Sequence, residues 1–320
     1  MIVTLTANPS LDRTATLDRP LTRGDVHRVG SVTVEPGGKG INVARVVHDA
    51  GHPVRAILPA APDDLILRGL DALRVPYRTV PLAEPVRTNL TLTEADGTTT
   101  KINEPGPSLD AETVERLANL LVLESERADW VVLSGSLPPG VPEDWYANLV
   151  KALRPWGCRI AVDTSDAPLL ALAAEFPDAA PDLLKPNSEE LAQLTGVDAE
   201  SLEAAAAGGD PSACVAAART LVDRGVGAVM ATLGGAGAVL VTAEGAWHAS
   251  PPPVTVRSTV GAGDSSVSGY VLAHTRELAA PDRLRLAVAY GSAAASLAGT
   301  ALPHPEQLNT AAVTVVPLES

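Results

Sequence analysis

The 320-residue chain predicts a doubly wound α/β fold, a mostly parallel sheet with helices on both faces, and three observations carry that reading. Short apolar runs recur along the chain, each closing on a polar or glycine residue, as strands buried on both faces do. Segments with helical spacing of apolar residues lie between them. The alternation persists over a length that suits one large domain with a small accessory unit.

Ile2–Thr6, Val54–Leu58, Trp130–Ser134, Arg159–Asp163, Leu183–Lys185 and Ala228–Thr232 are the strands on this reading. Ile41–Ala50, Asp64–Leu73, Ala111–Leu123, Glu143–Leu153, Ala167–Ala174, Glu189–Leu194 and Cys214–Arg224 are the intervening helices, and Asp264–Arg276 and Asp282–Leu297 follow the last strands. Ala204–Gly209 reads as a flexible surface connection. Ligands of such sheets bind in the loops beyond the carboxyl ends of the strands.

Thr14–Leu17, His27–Val34, Asn89–Thr93 and Thr98–Asn103 depart from this order with an alternation of period two, and the last two flank Asp96-Gly97, a hairpin signal. Strands there would interrupt the parallel order, so they are expected to form a small antiparallel β lid, about residues 12–35 and 87–104, on a single domain spanning 1–320. So few strands have one apolar face to hide. The lid therefore covers the active site, meets a second copy, or does both.

Composition narrows the function. With 38 acids against 24 bases, a net charge of −14 and no Lys/Arg run, nucleic acid is not an expected partner. An anionic substrate must then rely on a few local cations, and Arg28, Lys39, Arg87 and Lys101 fall in or beside the lid or a glycine-rich loop. Each alone is also compatible with a solvated surface charge. Cys158 and Cys214 sit in apolar surroundings and read as buried thiols rather than a disulfide or metal pair. His48 and His52 are four apart but lack a carboxylate or cysteine partner for a metal. No signal-like segment opens the sequence and no uninterrupted apolar stretch reaches membrane length, so the expectation is a cytoplasmic protein without membrane contact.

The stretch with the most chemistry is Ser258-Thr-Val-Gly261-Ala262-Gly263-Asp264. It reads as a glycine-rich turn opening a helix, whose free N–H groups can hold an anion while Asp264 places a carboxylate beside it. An anion pocket with an adjacent base suits phosphoryl transfer to an alcohol; a plain Asp-capped turn is the competing reading. Gly37-Gly38-Lys39-Gly40-Ile41-Asn42 also enters a helix but lacks the Walker A spacing and its hydroxyl, and is either a sugar-phosphate loop or a tight turn with a solvated lysine. Asp12 follows the first strand and can accept from sugar hydroxyls or simply form a turn. Ser134-Gly-Ser136-Leu-Pro-Pro-Gly closes another strand as a ligand-approaching or merely Pro/Gly-rich loop. Asn187 and Glu190, three apart, can hold magnesium through water or can mark a helix start. Thr232-Leu-Gly234-Gly235-Ala-Gly237 can pass close to a nucleotide or turn a hairpin.

Taken in order, these motifs resemble the ribokinase-like (PfkB) carbohydrate kinases over nearly the whole chain. Gly37-Gly38-Lys39-Gly40-x-Asn42 and Thr259-Val-Gly261-Ala262-Gly263-Asp264 look like the family's two signatures, and Asn187-x-x-Glu190 like its Asn-x-x-Glu motif. Asn8-Pro-Ser10-Leu-Asp12, Thr88-Asn89 and Lys101-Ile-Asn-Glu-Pro-Gly106 resemble the hexose-phosphate branch. The resemblance implies ATP as phosphoryl donor, Mg2+, a sugar-phosphate acceptor and a homodimer formed through the lid. It implies Asp264 as general base with the N–H groups of Gly261, Ala262 and Gly263 at the transferring phosphoryl group. Asp12, Gly38, Lys39, Asn42, Arg87, Lys101 and Ser136 would hold the acceptor. Lys185, Asn187, Thr232, Gly234, Gly235 and Gly237 would face ATP, and Glu190 would orient magnesium through water. Fructose 1-phosphate is the expected acceptor, with tagatose 6-phosphate and fructose 6-phosphate as alternatives of the same branch. A non-catalytic sugar-phosphate sensor on the same fold is the alternative of another class; a dinucleotide-dependent dehydrogenase is disfavoured because no Gly-x-Gly-x-x-Gly follows the first strand.

Overall fold

The structure is a computed structural model describing residues 1–318. Its first half runs β1 (Ile2–Leu5), β2 (Ser10–Leu17), β3 (Val29–Gly37), α1 (Lys39–Asp49), β4 (Val54–Ala60), α2 (Leu65–Ala72), β5 (Tyr77–Pro81), β6 (Arg87–Thr93), β7 (Thr99–Asn103), α3 (Ala111–Ser125), β8 (Trp130–Ser134) and α4 (Trp145–Leu153). The second half runs β9 (Arg159–Asp163), α5 (Asp166–Ala174), β10 (Leu183–Leu184), α6 (Ser188–Thr195), α7 (Ala199–Ala207), α8 (Ser212–Asp223), β11 (Ala228–Thr232), β12 (Ala238–Thr242), β13 (Gly245–Ser250), α9 (Ala262–Thr275), α10 (Ala280–Ala295) and β14 (Thr314–Leu318).

The main sheet has ten strands in the order β14-β13-β12-β11-β10-β9-β8-β1-β4-β5. The strands from β11 to β5 are parallel, and β12, β13 and β14 extend them as an antiparallel edge. Alternate side chains feed two cores. Val3, Leu5, Val131, Leu133 and Val162 pack against α3 to α8 on one face. Ile2, Ala56, Leu58, Trp130 and Val132 pack against α1, α2, α9 and α10 on the other. Burial on both faces is why these strands read as unbroken apolar runs.

Several elements depart from the sequence reading. Ala204–Gly209 is not a flexible connection: its first four residues complete α7, where Asp198 accepts from the Ser201 N–H at 2.8 Å and an alanine run has little reason to leave the helix. β5 and β13 escape the reading because polar residues interrupt their apolar pattern, and β12, a buried apolar run over Ala238–Thr242, is left out of it. The second sheet, in the order β3-β2-β6-β7, has antiparallel outer pairs, but its central pair β2·β6 is parallel rather than antiparallel. The reason is topological: β2 follows β1 and β6 follows β5, two parallel strands, so both run outward from the same end of the main sheet.

Cross-strand registers divide this second sheet into two faces. Glu35–Asp12–Asn89–Asn103 and Thr33–Thr14–Thr91–Lys101 form polar rows on one face. Val34–Arg13–Leu90–Ile102 and Val32–Ala15–Leu92–Thr100 form largely apolar rows on the other. At its base, Arg45 of α1 donates to the Pro36 carbonyl at 3.0 Å and to Glu35 at 2.9 Å, joining the sheet to the helix that carries Asn42.

Asp64 makes the corresponding joint at β6. Its buried carboxylate accepts from Ile66 N–H at 3.0 Å, capping α2, and from Val86 N–H at 2.8 Å, immediately before Arg87. Asp64→Ala removes the cap and strands a buried N–H, so urea unfolding should show a loss of about 2–3 kcal/mol. A loss within about 0.5 kcal/mol, the scale of an ordinary surface change, would contradict the assignment.

Candidate active site

The carboxyl ends of β1, β8, β9, β10 and β11 and the amino ends of α1 and α9 converge on one region. Gly261 opens α9 in the left-handed conformation, φ +74°, which turns the chain so that the helix's first N–H groups face outward. Ala262, Gly263 and Asp264 form the first turn. Asp264 is only 6% exposed, and its Oδ2 accepts from Asn42 Nδ2 at 2.8 Å, tying α9 to α1. Burial, with the neighbouring Asp163 charge adding to it, pushes the Asp264 carboxyl up to about 6, against the pull of Lys39 and the Asn42 hydrogen bond.

Asp163, the last residue of β9, is the buried centre of the site. Its Oδ1 accepts from Lys39 Nζ at 2.9 Å and from Lys185 Nζ at 3.2 Å. Burial works against this carboxylate, but the two lysines outweigh it and hold its pKa below the ordinary value. Burial likewise opposes charge on Lys39, yet Asp163 and Asp264 raise its pKa above the usual lysine value. Lys185 also lies beneath the α9 turn, since a Cβ on Gly263 would sit 3.5 Å from its Nζ. The other Asp163 oxygen, Oδ2, is buried without a partner.

Glu190 stands close to this group. Asn187 Oδ1 accepts from Glu190 N–H at 2.7 Å and Glu190 Oε2 accepts from Asn187 N–H at 2.8 Å, a reciprocal cap on α6. The helix-start reading thus describes the local geometry, while Glu190 Oε1 remains outside the cap. Burial raises the Glu190 pKa, opposed by Lys185 and the Asn187 N–H. Thr232 ends β11 beside Asn187, its N–H donating to the Pro186 carbonyl at 3.0 Å. Gly234 and Gly235 follow in an exposed single turn closed by the Gly237 N–H, so the segment is both the β11–β12 hairpin and an open loop at the strand end.

On the opposite side, Asp12 Oδ1 accepts from Ser10 Oγ at 2.7 Å and from Asn89 Nδ2 at 3.1 Å. Burial raises the Asp12 pKa against these two donors. Asn8 Nδ2 donates to Ser136 Oγ at 3.3 Å and to the Pro105 carbonyl at 3.0 Å. Arg87 donates to the carbonyls of Glu104 at 3.0 Å and Asn8 at 3.2 Å. Gly38 precedes α1, with room for nothing larger than hydrogen against Thr6. Asp12, Ser136, Arg87, Gly38, Lys39 and Asn42 are therefore gathered around the amino end of α1. Lys101 is not in this group: it is exposed on β7, the outermost strand, on the same sheet face as Asp12 but two strands away from Thr14 in its row.

The sequence reading missed Asp163, taking it only as the end of a strand. The signal was present, since it closes an apolar run at a carboxyl end, as the residues after β1 do. Among the described residues no group of three or more His, Cys, Asp or Glu side chains is placed to hold a metal by itself.

A carboxylate of raised pKa at the amino end of a helix, with two lysines on a neighbouring acid, is the equipment of a phosphotransferase acting on an alcohol. A family model described as pfkB family carbohydrate kinase matches residues 5–307, and the chain belongs to that family. It is 37% identical to a 1-phosphofructokinase of Xanthomonas campestris, covering 98% of this chain and 97% of that protein. It is 36% identical to ATP-dependent 6-phosphofructokinase isozyme 2 of Escherichia coli, covering 94% of each. The crystal structure of Escherichia coli phosphofructokinase-2 in complex with potassium superimposes with a TM-score of 0.86 at 34% identity, covering 96% of both chains.

The electrostatics predict a direct observable. Carboxyl-carbon NMR should find Asp264 ionising near pH 6, against about 3.9 for an unperturbed aspartate. Asp163→Asn should move that midpoint to lower pH, because it removes a negative neighbour and frees two cations. An unchanged or higher midpoint in the variant would contradict this account.

Proposed function

We propose that the protein transfers the γ-phosphoryl group of ATP to a hydroxyl of a phosphorylated ketohexose, converting fructose 1-phosphate to fructose 1,6-bisphosphate. The observation that carries this reading is the buried Asp264 carboxylate on the first turn of α9, fixed by Asn42 and flanked by Lys39 and Lys185 through Asp163. Similarity to the Xanthomonas 1-phosphofructokinase supports the acceptor. Fructose 6-phosphate is the second reading, supported by the similar identity to the Escherichia coli isozyme.

In the proposed mechanism Asp264 takes the proton of the acceptor hydroxyl as its oxygen attacks the γ-phosphorus in line. The new O–P bond forms as the bond to the ADP oxygen breaks, and the proton stays on Asp264 until the product leaves. N–H groups of Gly261, Ala262 and Gly263 receive the charge that develops on the transferring group. Asp12, Gly38, Lys39, Asn42, Arg87 and Ser136 hold the sugar phosphate, and Lys101 approaches only as the second sheet closes. Lys185, Asn187, Thr232, Gly234, Gly235 and Gly237 face the nucleotide. The unpartnered Asp163 Oδ2 and the Glu190 carboxylate fit Mg2+ held through water, which would neutralise charge on the β- and γ-phosphates.

The second sheet, residues 10–37 and 87–103, serves as a lid within one kinase domain. Its outer face leaves Val32, Val34 and Ile102 at 41%, 53% and 54% exposure, which supports a homodimer in which two lids cover each other. Cys158 and Cys214 are buried, unbridged thiols, which supports the reducing cytoplasm as location.

Asp264→Asn should lower kcat by about 10²–10⁴-fold while leaving sugar-phosphate binding intact. Retention of activity within about tenfold would exclude the base assignment. For the wild type, kcat/KM should rise with pH through about 6 as Asp264 loses its proton. The acceptor is tested by ADP release with fructose 1-phosphate, fructose 6-phosphate and tagatose 6-phosphate. A preference of about a hundredfold, some 2.7 kcal/mol, for fructose 1-phosphate is expected. The same preference for another acceptor replaces it, and sugar-phosphate binding without turnover of any identifies a sensor.

A further inference from the structure

We propose that Thr300 and Leu302 are positioning residues, the two ends of a short strut that carries the position of the second sheet to the Gly261 turn at the start of α9. This rests on the phosphotransferase reading above and goes beyond it, by linking the second sheet mechanically to the turn that faces the transferring group.

The segment that follows α10 touches both structures. A Cβ on Gly299 would sit 3.5 Å from Thr14 Cγ2, so the chain passes against β2 of the second sheet. The Thr300 hydroxyl donates to Glu35 Oε2, while Arg45 of α1 donates to Glu35 Oε1 at 2.9 Å. Thr300 and Arg45 are both buried. One carboxylate at the base of β3 thus joins the sheet to α1 through one oxygen and to the segment after α10 through the other. Two residues further on, Leu302 is buried against the α9 turn: a Cβ on Gly261 would sit 2.9 Å from Leu302 Cδ2.

Little else holds this segment. Between Ala298 and Pro303 its only backbone hydrogen bond among the described residues runs from Ala301 N–H to the Ala298 carbonyl at 3.4 Å. A cavity of about 270 Å³, lined in part by Glu35, Arg45, Ala301 and Leu302, lies beside it. Side-chain contacts rather than a backbone ladder therefore set its place, and it has room to shift. Thr300 fastens it to the sheet by a hydrogen bond to a charged group, the stronger kind. Leu302 delivers that position to Gly261, whose φ of +74° sets where the first N–H groups of α9 point. A displacement of the second sheet at Glu35 is passed along Thr300 and Leu302 to the turn, a contiguous path of packed and hydrogen-bonded groups. The N–H groups of Gly261, Ala262 and Gly263 are then aligned only when the sheet is in place.

The test uses the sugar phosphate that the wild type turns over best. Thr300→Val keeps the shape of the side chain but removes its hydroxyl, and should lower kcat about fivefold to tenfold while leaving KM for ATP within about twofold. Thr300→Ser restores the hydroxyl and should stay within about twofold of the wild type. In a Glu35→Ala background, Thr300→Val should change kcat by less than about twofold, because the two residues share one contact. Glycine-selective amide NMR reads the path directly. Adding the sugar phosphate alone should shift the Gly261 signal, and in Thr300→Val that shift should fall to less than about half, while the Gly38 signal moves alike in both proteins. Leu302→Ala cuts the other end and serves if Thr300→Val does not fold; it should reproduce the kcat loss. A kcat within about twofold of the wild type in both Thr300→Val and Leu302→Ala would overturn the proposal. So would an equal loss in Thr300→Ser, or a Gly261 shift that Thr300→Val leaves undiminished. Wild-type protein that releases no ADP with any phosphoketohexose overturns the underlying reading itself, a result distinct from wild-type turnover that the variants leave untouched.

Discussion

The site depends on one buried carboxylate shared by two lysines. Asp163 is 1% exposed and holds Lys39 from α1 and Lys185 from the end of β10 on the same oxygen. Burying three charges is unfavourable unless each finds partners, and truncating the central one would leave two cations facing each other. The arrangement therefore fixes three chain segments relative to one another: α1 by Lys39, β9 by Asp163 itself and the β10–α6 turn by Lys185. It also sets the electrostatic level for Asp264, which feels one negative neighbour and two positive ones. Without Asp163 the lysines would be free to pair with Asp264 directly, and the Asp264 carboxyl would lose its raised pKa.

The second sheet solves a different problem with the same economy of parts. A mixed four-stranded sheet is thin, and only one of its faces can pack against the main domain. Here the polar rows, with Asp12 and Asn89, belong to the face that carries the site, while the valine and isoleucine rows face away. A one-residue slip between β2 and β6 would exchange the two faces. The Ser10–Asp12–Asn89 triangle opposes that slip, because its hydrogen bonds exist in only one register.

Much of this was legible in the sequence, for reasons that differ by element. Strands buried on both faces announce themselves as apolar runs, so β1, β8, β9 and β11 were readable nearly to the residue. β13 was not, because His248 and Ser250 interrupt its apolar positions. The parallel β2·β6 pairing was hidden because Asp96-Gly97 signals only its own hairpin, and strand direction across a long gap is a property of the whole topology. Glycine-rich turns marked the α1 and α9 entrances, yet no local pattern reveals that Lys39 and Lys185, 146 positions apart by subtraction of their numbers, meet on Asp163. A lone aspartate at a strand end gains meaning only when the ends are brought together.

The balance of charge in the described site has a consequence for the order of its chemistry. Asp163, Asp264 and Glu190 face Lys39 and Lys185, so the group has no surplus of positive charge to offer a nucleotide. A triphosphate entering such a site would meet three carboxylates with only two lysines between them. Binding there would require either that the incoming phosphates compete with Asp163 for its lysines or that a divalent cation enter with them. The orphaned Asp163 Oδ2 favours the second route, since a cation there would stabilise the carboxylate that the lysines partly leave. In the first route Lys39 or Lys185 would exchange a protein carboxylate for a phosphate oxygen. The ion pairs on Asp163 would then act as placeholders, holding each ammonium where phosphates would arrive rather than leaving it to sample solvent.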